Sequence, residues 1–269
     1  MTDQRVSKKS PAGRNEVNTN GVKTKELLDY LAKSMAVASF KDYCPNGLQV
    51  EGRPQVRKLA FAVTASKNAI DMAAQWGADA LLVHHGLFWR GDDGSIVGVQ
   101  KRRIQALFNA DMNLLAYHLP LDTHKHWGNN AALGNQLQFK KSRAISADGL
   151  IWAARLAVPL TAKTLALRLQ KHLSREPLIV GNLDRPIRMI AWCTGGAQGY
   201  LDQAIALGAD AYISGEISEQ TTHLARESGV IFAAAGHHAT ERYGVQALAK
   251  HLAAQFNLDC RFFDDDNPA

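Results

Sequence analysis

The feature that most constrains this chain is that it repeats itself. The segments DMAAQWGADA (71–80) and DQAIALGADA (202–211), aligned 131 residues apart, are identical at six of ten positions. Each lies in the same pattern of elements. In the first, the apolar run Leu59–Val63 reads as a strand, with Thr64 and Ser66 as cap candidates for a helix over about Asn68–Trp76. Gly77 is the stop signal of that helix, and Ala80–Val83 is a buried strand ending at His84-His85. In the second, a strand Met189–Trp192, a glycine-rich turn at 195–199, a helix to Leu207 and a strand Ala211–Ile213 follow in the same order. Strand–helix–strand units build parallel sheets, so the repeat predicts an α/β fold of two similar, pseudo-symmetric lobes.

A second correspondence, 119 residues apart, sets His118-x-x-x-Asp122 against His237-x-x-x-Glu241. Both follow apolar segments, Asn113–Tyr117 and Val230–Ala235, that read as strands. The drop in offset from 131 to 119 means extra residues in the first half, most simply within Phe88–Val99. That insert, with exposed-looking Phe88 and Trp89, is expected to be a loop over a site or an oligomer contact. Lys25–Ser39 has apolar residues at helical spacing, and between the repeats a strand at Leu156–Val158 and a helix over Thr164–Leu173 are expected. The expected organisation is a flexible polar tail over 1–22, a first lobe over 23–138 and a second over 139–269, the two lobes forming one compact unit with a shared cleft.

Seven of the 10 histidines fall in three clusters: His84-His85, His118 with His124 and His126, and His237-His238. Each cluster follows a predicted strand, the position from which open α/β sheets present their sites. His84, His85, Asp122, His237 and Glu241 form the strongest candidate constellation. Imidazole with carboxylate suits Zn²⁺, Fe²⁺ or Mn²⁺, and the 3 widely spaced Cys argue against a structural zinc knuckle or a disulfide framework. Side chains alternate along a strand, so both members of the His84-His85 pair reach one site only if the chain bends, which Gly86 permits. The i,i+4 spacing of His237 and Glu241 puts both on one helix face. Five ligands exceed the needs of one tetrahedral ion, so two ions bridged by Glu241 or Asp122 are expected. The histidines His124, His126, His172, His223 and His251 are read as packing or surface residues. Asp71, Asp79, Asp202 and Asp210 recur with the repeat and are read as caps or helix-surface residues, and Cys193 as a buried, inert thiol. The turn at 195–199 sits where a phosphate could bind, but it matches neither GxGxxG nor GxxxxGK[ST], and a tight turn that needs glycine explains it as well.

The net charge of +6 raises nucleic acid as a partner. However, the tail holds Arg5, Lys8, Lys9 and Arg14 against Asp3 and Glu16, and the basic runs at 101–103 and 140–143 have no interleaved aromatics for base stacking. A solvated basic surface is the better reading. No stretch approaches the roughly 20 apolar residues of a membrane span, and the first residues lack a secretion signal's apolar core, so the expected location is cytoplasmic.

With these residues assembled, a resemblance is visible. DYCPNGLQVEG (42–52), GADALLVHHGLFW (77–89), YHLPLDTH (117–124), AWCTGGAQ (191–198), ISGEISEQTTH (213–223) and AAGHHATERYG (234–244) closely resemble the NIF-three-like, or GTP cyclohydrolase 1 type 2 homologue, family, in particular its bacterial YbgI-like members. The resemblance implies two similar α/β lobes, a dinuclear metal centre in the cleft and a toroidal hexamer assembled from dimers. By motif it carries over His84 and His85 from VHHG, Asp122 from HLPLD, and His237 and Glu241 from GHHATE as metal ligands. It places His118 beside the site, where it orients a ligand or shuttles protons, and leaves His238 out of the ligand set. Two divalent ions of this kind activate water for ring opening, deamidation or phosphoester hydrolysis. The functional expectation is a metal-dependent hydrolase acting on a nucleotide-like or small heterocyclic substrate. The alternative is a protein that stores or delivers metal without turnover.

Overall fold

The computed structural model describes residues 21–269; the expected flexible tail lies, for residues 1–20, outside the described residues. Two sheets carry the fold. The first runs in the order Asp259–Phe262, Lys58–Thr64, Ala80–His85, Asn113–Ala116, Gly47–Val50, with the first four strands parallel and the last antiparallel. The second runs Arg143–Ala144, Trp152–Thr161, Pro186–Trp192, Ala211–Ser214, Ile231–Ala234, Leu178–Val180. Its three middle strands from Pro186 onward are parallel and its outer strands antiparallel. Each sheet thus has a parallel triplet at its heart, as the repeat predicts.

The repeat extends to individual bonds. Leu59 pairs with Ala80, and 131 residues later Ile190 pairs with Ala211. The Asp79 carboxylate accepts the backbone N–H groups of Arg57 and Lys58 at 2.9 Å each, and Asp210 accepts those of Arg188 and Met189 at 2.8 Å each. These two aspartates therefore fasten the first strand of each unit to the start of the next, rather than capping helices. Asp79 also takes a 2.7 Å ion pair from Arg53.

Helix ends follow local chemistry. Ser66, rather than Thr64, caps Lys67–Trp76 by accepting the Ala69 N–H at 3.0 Å, and Gly77 closes it in the left-handed conformation. The expected first helix is shorter than its apolar spacing suggests: it spans Thr24–Ser34, and Ala36, at φ 49°, turns the chain into a 3-10 turn at Val37–Ser39. In the insert, Phe88 and Trp89 are half-buried against the first sheet's core rather than exposed; its exposed apolar residues are Ile96, Val97 and Val99.

Helices cover both faces of both sheets. Leu27 and Leu31 with Val245, Leu248 and Leu252 bury one face of the first sheet, and Ile70, Ala73 and Leu107 bury the other. The second sheet is covered by Leu165, Leu169 and Leu173 on one side and by Leu201, Ala204 and Ala225 on the other. The helix His237–Phe256 starts at the end of a second-sheet strand yet buries its apolar side on the first sheet, and the strand Asp259–Phe262 joins that sheet. Sequence position and sheet membership therefore part company beyond residue 237. This crossover ties the two sheets together and brings the carboxyl ends of both parallel triplets to one cleft. Among the described residues no helix is long and apolar enough to cross a membrane.

Candidate metal centre

Every residue of the predicted constellation arrives from a strand's carboxyl end. His84 and His85 end the strand Ala80–His85, His118 and Asp122 follow Asn113–Ala116, and His237 and Glu241 open the helix after Ile231–Ala234. The chain remains a strand through His85, so the expected bend at Gly86 is not what unites the histidine pair. Their rings lie 4.5 Å apart, and both reach past the sheet end to Glu241.

Glu241 is the hub. Its Oε1 lies 3.5 Å from His84 Nε2, and its Oε2 lies 3.3 Å from His85 Nε2 and 3.2 Å from His237 Nε2. Asp122 Oδ1 stands 3.5 Å from His84 Nε2 on the other side. The i,i+4 helical pairing of His237 with Glu241 is as expected. Donor atoms within 4.8 Å of one another form three groups: His85, His237 and Glu241; His84, Asp122 and Glu241; and His84, His85 and His118. These groups could hold a metal ion. The first two share only Glu241.

Two observations test that fit. His84 Nε2 and Glu241 Oε2 are fully buried and have no hydrogen-bond partner, which native interiors rarely tolerate. The donor set, imidazole nitrogen with carboxylate oxygen and no thiolate, suits Zn²⁺, Fe²⁺ or Mn²⁺. The outer contacts point the same way. His84 Nδ1 lies 3.0 Å from the Tyr117 carbonyl oxygen, His85 Nδ1 lies 3.1 Å from Thr64 Oγ1, and His237 Nδ1 lies 2.6 Å from Glu216 Oε1. Each ring thereby turns Nε2 toward the centre, the arrangement that orients metal-binding imidazoles. Asn129 Nδ2 donates to Asp122 Oδ1 at 2.8 Å.

The charges are tightly balanced. Burial works against a proton on His84, but Asp122 and Glu241 prevail and carry its pKa up to about 9. His237 also rises to about 9, because the nearby Glu241 carboxylate and the contact with Glu216 outweigh burial. His85 falls to about 3, since burial and the neighbouring His84 and His237 outweigh Glu241. Although burial pushes Glu241 up, the surrounding imidazoles hold it well below the carboxylate range. Burial raises Asp122, with His84 opposing.

Asp42, the role of Glu216, and the cleft walls Tyr43 and Tyr200 escaped the sequence reading, whereas Trp89, in the insert expected over a site or at an oligomer contact, lines the cleft. Asp42 Oδ1 lies 2.9 Å from His118 Nδ1, and its Oδ2 accepts the Leu119 N–H at 3.0 Å. The repeat carried a signal for Glu216, since it occupies the position 131 residues after His85. The counterpart of His84 is Gly215, and the structure explains why: a Cβ there would lie 2.6 Å from His237 Cα. Gly195, at φ 69°, runs so close to Glu241 that a Cβ would strike its Oε1. The turn at 195–199 is thus a close approach that needs glycine; the helix after it is only Leu201–Ala206. Cys193 follows its strand and lines the cleft, with burial pushing the thiol well above its usual range. His124 stacks on Trp127, His251 lies 2.6 Å from the Tyr30 hydroxyl, and His238 pairs with Asp264 at 2.8 Å, so none of the three joins the centre.

Above the centre opens a cleft of about 430 Å³, walled by Tyr43, Trp89, Leu119, Leu150 and Tyr200.

Comparison with known proteins gives one consistent result. Residues 22–268 match the model of the Duf34/NIF3 (NGG1p interacting factor 3) family. A Pseudomonas aeruginosa protein named GTP cyclohydrolase 1 type 2 homolog is 51% identical over 246 residues, covering 90% of this chain and 97% of its own length. A Neisseria meningitidis serogroup B protein of the same name is 47% identical, covering 91% of this chain and 98% of its own. Among solved structures, protein ybgI, described as of unknown function, superposes with a TM-score of 0.89 at 43% identity, covering 92% of this chain and all of its own. A Thermus thermophilus protein, TTHA1606, superposes with a TM-score of 0.85 at 35% identity, over 92% of this chain and 100% of its own.

Proposed function

The chain belongs to the Duf34/NIF3 family, and from that premise we propose that it is a metal-dependent hydrolase with two divalent ions, acting on a nucleotide-like or other small heterocyclic substrate. The observation that carries this reading is the buried Glu241 carboxylate, shared by two otherwise separate donor groups. His85 and His237 would hold one ion, His84 and Asp122 the other, with Glu241 between them. Bound ions at such a site act as Lewis acids and make water a nucleophile near neutral pH. The protein's own groups do the rest. Asp42 occupies His118 Nδ1, which leaves Nε2 as the free nitrogen of a ring that stands 5.0 Å from His84 and 5.2 Å from Trp89, at the cleft floor. From there His118 would accept the proton of the attacking water and return it to the leaving nitrogen or oxygen. Glu216 and Asn129 hold His237 and Asp122 in position.

The relatives' name makes ring opening of a purine nucleotide the first reaction to try. The metal-loaded protein should turn over a cyclic amide or heterocycle, and His118→Gln should retain both ions while losing roughly 100-fold or more in kcat. Turnover unchanged in His118→Gln removes its role; no turnover of any such substrate by the loaded protein removes the hydrolase.

The all-histidine group of His84, His85 and His118, overlapping the other two, favours a second reading in which ions are passed between overlapping sites and delivered. Fast, complete transfer of metal to a competing chelator, without turnover, would select it. Assembly as a toroidal hexamer, a trimer of dimers, belongs to the same proposal and is tested by the mass of the particle in solution.

A further inference from the structure

The walls of the cleft and its missing charges say what kind of molecule it takes. Tyr43 and Trp89, 6.1 Å apart between ring centroids and tilted by 33°, come from the first half of the chain, and Tyr200 comes from the second. Aromatic walls hold flat π-faces, whichever heterocycle carries them. The volume, about 430 Å³, is that of a site for a small ligand. The charged or ionisable side chains at the floor are Asp122, Glu241, imidazoles and the Cys193 thiol, and among the described residues no lysine or arginine lines the cleft.

That absence matters because proteins hold phosphate with Arg, Lys or open arrays of backbone N–H groups. The N–H array of the glycine-rich turn is partly spent. Gly195 N–H donates to Thr240 Oγ1 at 3.0 Å and Ala197 N–H donates to Ser214 Oγ at 3.1 Å. Divalent ions held by Asp122 and Glu241 would keep a net positive charge and could face one anionic group at the floor, but the further phosphates of a triphosphate would meet no lysine or arginine along the cleft.

We propose that the cleft binds an unphosphorylated planar heterocycle, a free base or nucleoside rather than a nucleoside triphosphate, and that Tyr43, Trp89 and Tyr200 determine this specificity. The inference rests on the hydrolase reading above and names its substrate class.

The test is equilibrium binding to the metal-loaded, full-length protein. Guanosine, adenosine, uridine and nicotinamide would be compared with GTP, ATP and UTP, with metal content checked after each titration. At least one neutral heterocycle should bind about tenfold or more tightly than any triphosphate. Trp89→Ala and Tyr200→Ala should each weaken that binding by about tenfold, the scale of one lost stacking contact, while metal content stays the same and Trp89→Phe restores affinity. A triphosphate bound as tightly as its nucleoside overturns the inference, as does unchanged affinity in both alanine variants, or no binding of any neutral heterocycle at about 1 mM, the weak end of the usual range of substrate affinities. The two proposals fail separately. A neutral ligand bound but never turned over refutes the hydrolase alone, whereas hydrolysis of GTP in preference to guanosine refutes the specificity alone.

Discussion

Removing Glu241 should cost this protein both of its ions, while removing Asp122 or His237 should cost it one. The asymmetry follows from the geometry. Glu241 Oε1 faces His84 at 3.5 Å, and Oε2 faces His85 at 3.3 Å and His237 at 3.2 Å. Glu241→Ala leaves His85 with His237 and His84 with Asp122, two donors each where there were three, and spares only the all-histidine group, which lacks a carboxylate to offset an ion's charge. Asp122→Ala leaves His85, His237 and Glu241 untouched, and His237→Ala leaves His84, Asp122 and Glu241. Even outer contacts of metal ligands are worth about 10- to 100-fold in affinity, and a lost ligand should exceed that. At free metal about 100 times Kd, one site stabilises the fold by about 2.7 kcal/mol. At about 2 °C per kcal/mol for a large domain, two ions should raise the melting temperature by roughly 10 °C. Metal analysis after dialysis against a weak chelator, with melting curves taken with and without added Zn²⁺, reads both quantities. Wild type should keep about two ions per chain and show the full shift, Asp122→Ala and His237→Ala about one ion and half the shift, and Glu241→Ala and Glu241→Gln neither. If Asp122→Ala loses both ions as readily as Glu241→Ala does, or if Glu241→Gln keeps both, the shared-carboxylate argument is wrong.

Metal uptake should release protons, because Asp122, Glu241 and Glu216 hold His84 and His237 up at about 9 and both must be neutral to bind an ion. Affinity should therefore weaken as pH falls below about 9, and calorimetry at pH 7.5 in buffers of different ionisation heat should count the protons leaving. Asp79 is buried, which raises its pKa, but the Lys58 N–H, Arg53 and the Arg57 N–H overcome that and hold it below its ordinary 3.8. A depressed folded pKa gives stability that is present above the unfolded value and lost as pH falls through the folded one. Asp79→Asn should therefore cost about 2 kcal/mol at pH 7 and flatten the acid limb below pH 4, read from urea midpoints. Gly195→Ala should reduce metal content while the chain still folds, since its Cβ would displace Glu241, and far-UV circular dichroism with metal analysis separates the two effects.

The sequence by itself determined a good deal. The 131-residue offset set two strand–helix–strand units, and the same offset relates Asp79 with Lys58 to Asp210 with Met189 in the fold. These features are local, set by periodicity, by caps such as Ser66 and Gly77, and by hydrogen bonds between neighbouring strands, so a linear pattern records them. The i,i+4 pairing of His237 with Glu241 was legible for the same reason.

Only the tertiary structure decided what joins across distance. Spacing left Asp122 and Glu241 equal as the shared carboxylate, and the crossing of the helix His237–Phe256 from one sheet to the other put Glu241 among three imidazoles while Asp122 meets one. It also set Asp42 against His118, Glu216 against His237, and Tyr200 over the same cleft as Tyr43 and Trp89. These contacts link segments far apart in the chain, and no local period encodes them. They arise because two apolar sheet faces must be covered at once and one helix covers the first while starting from the second, so packing decided which side chains share the space between them.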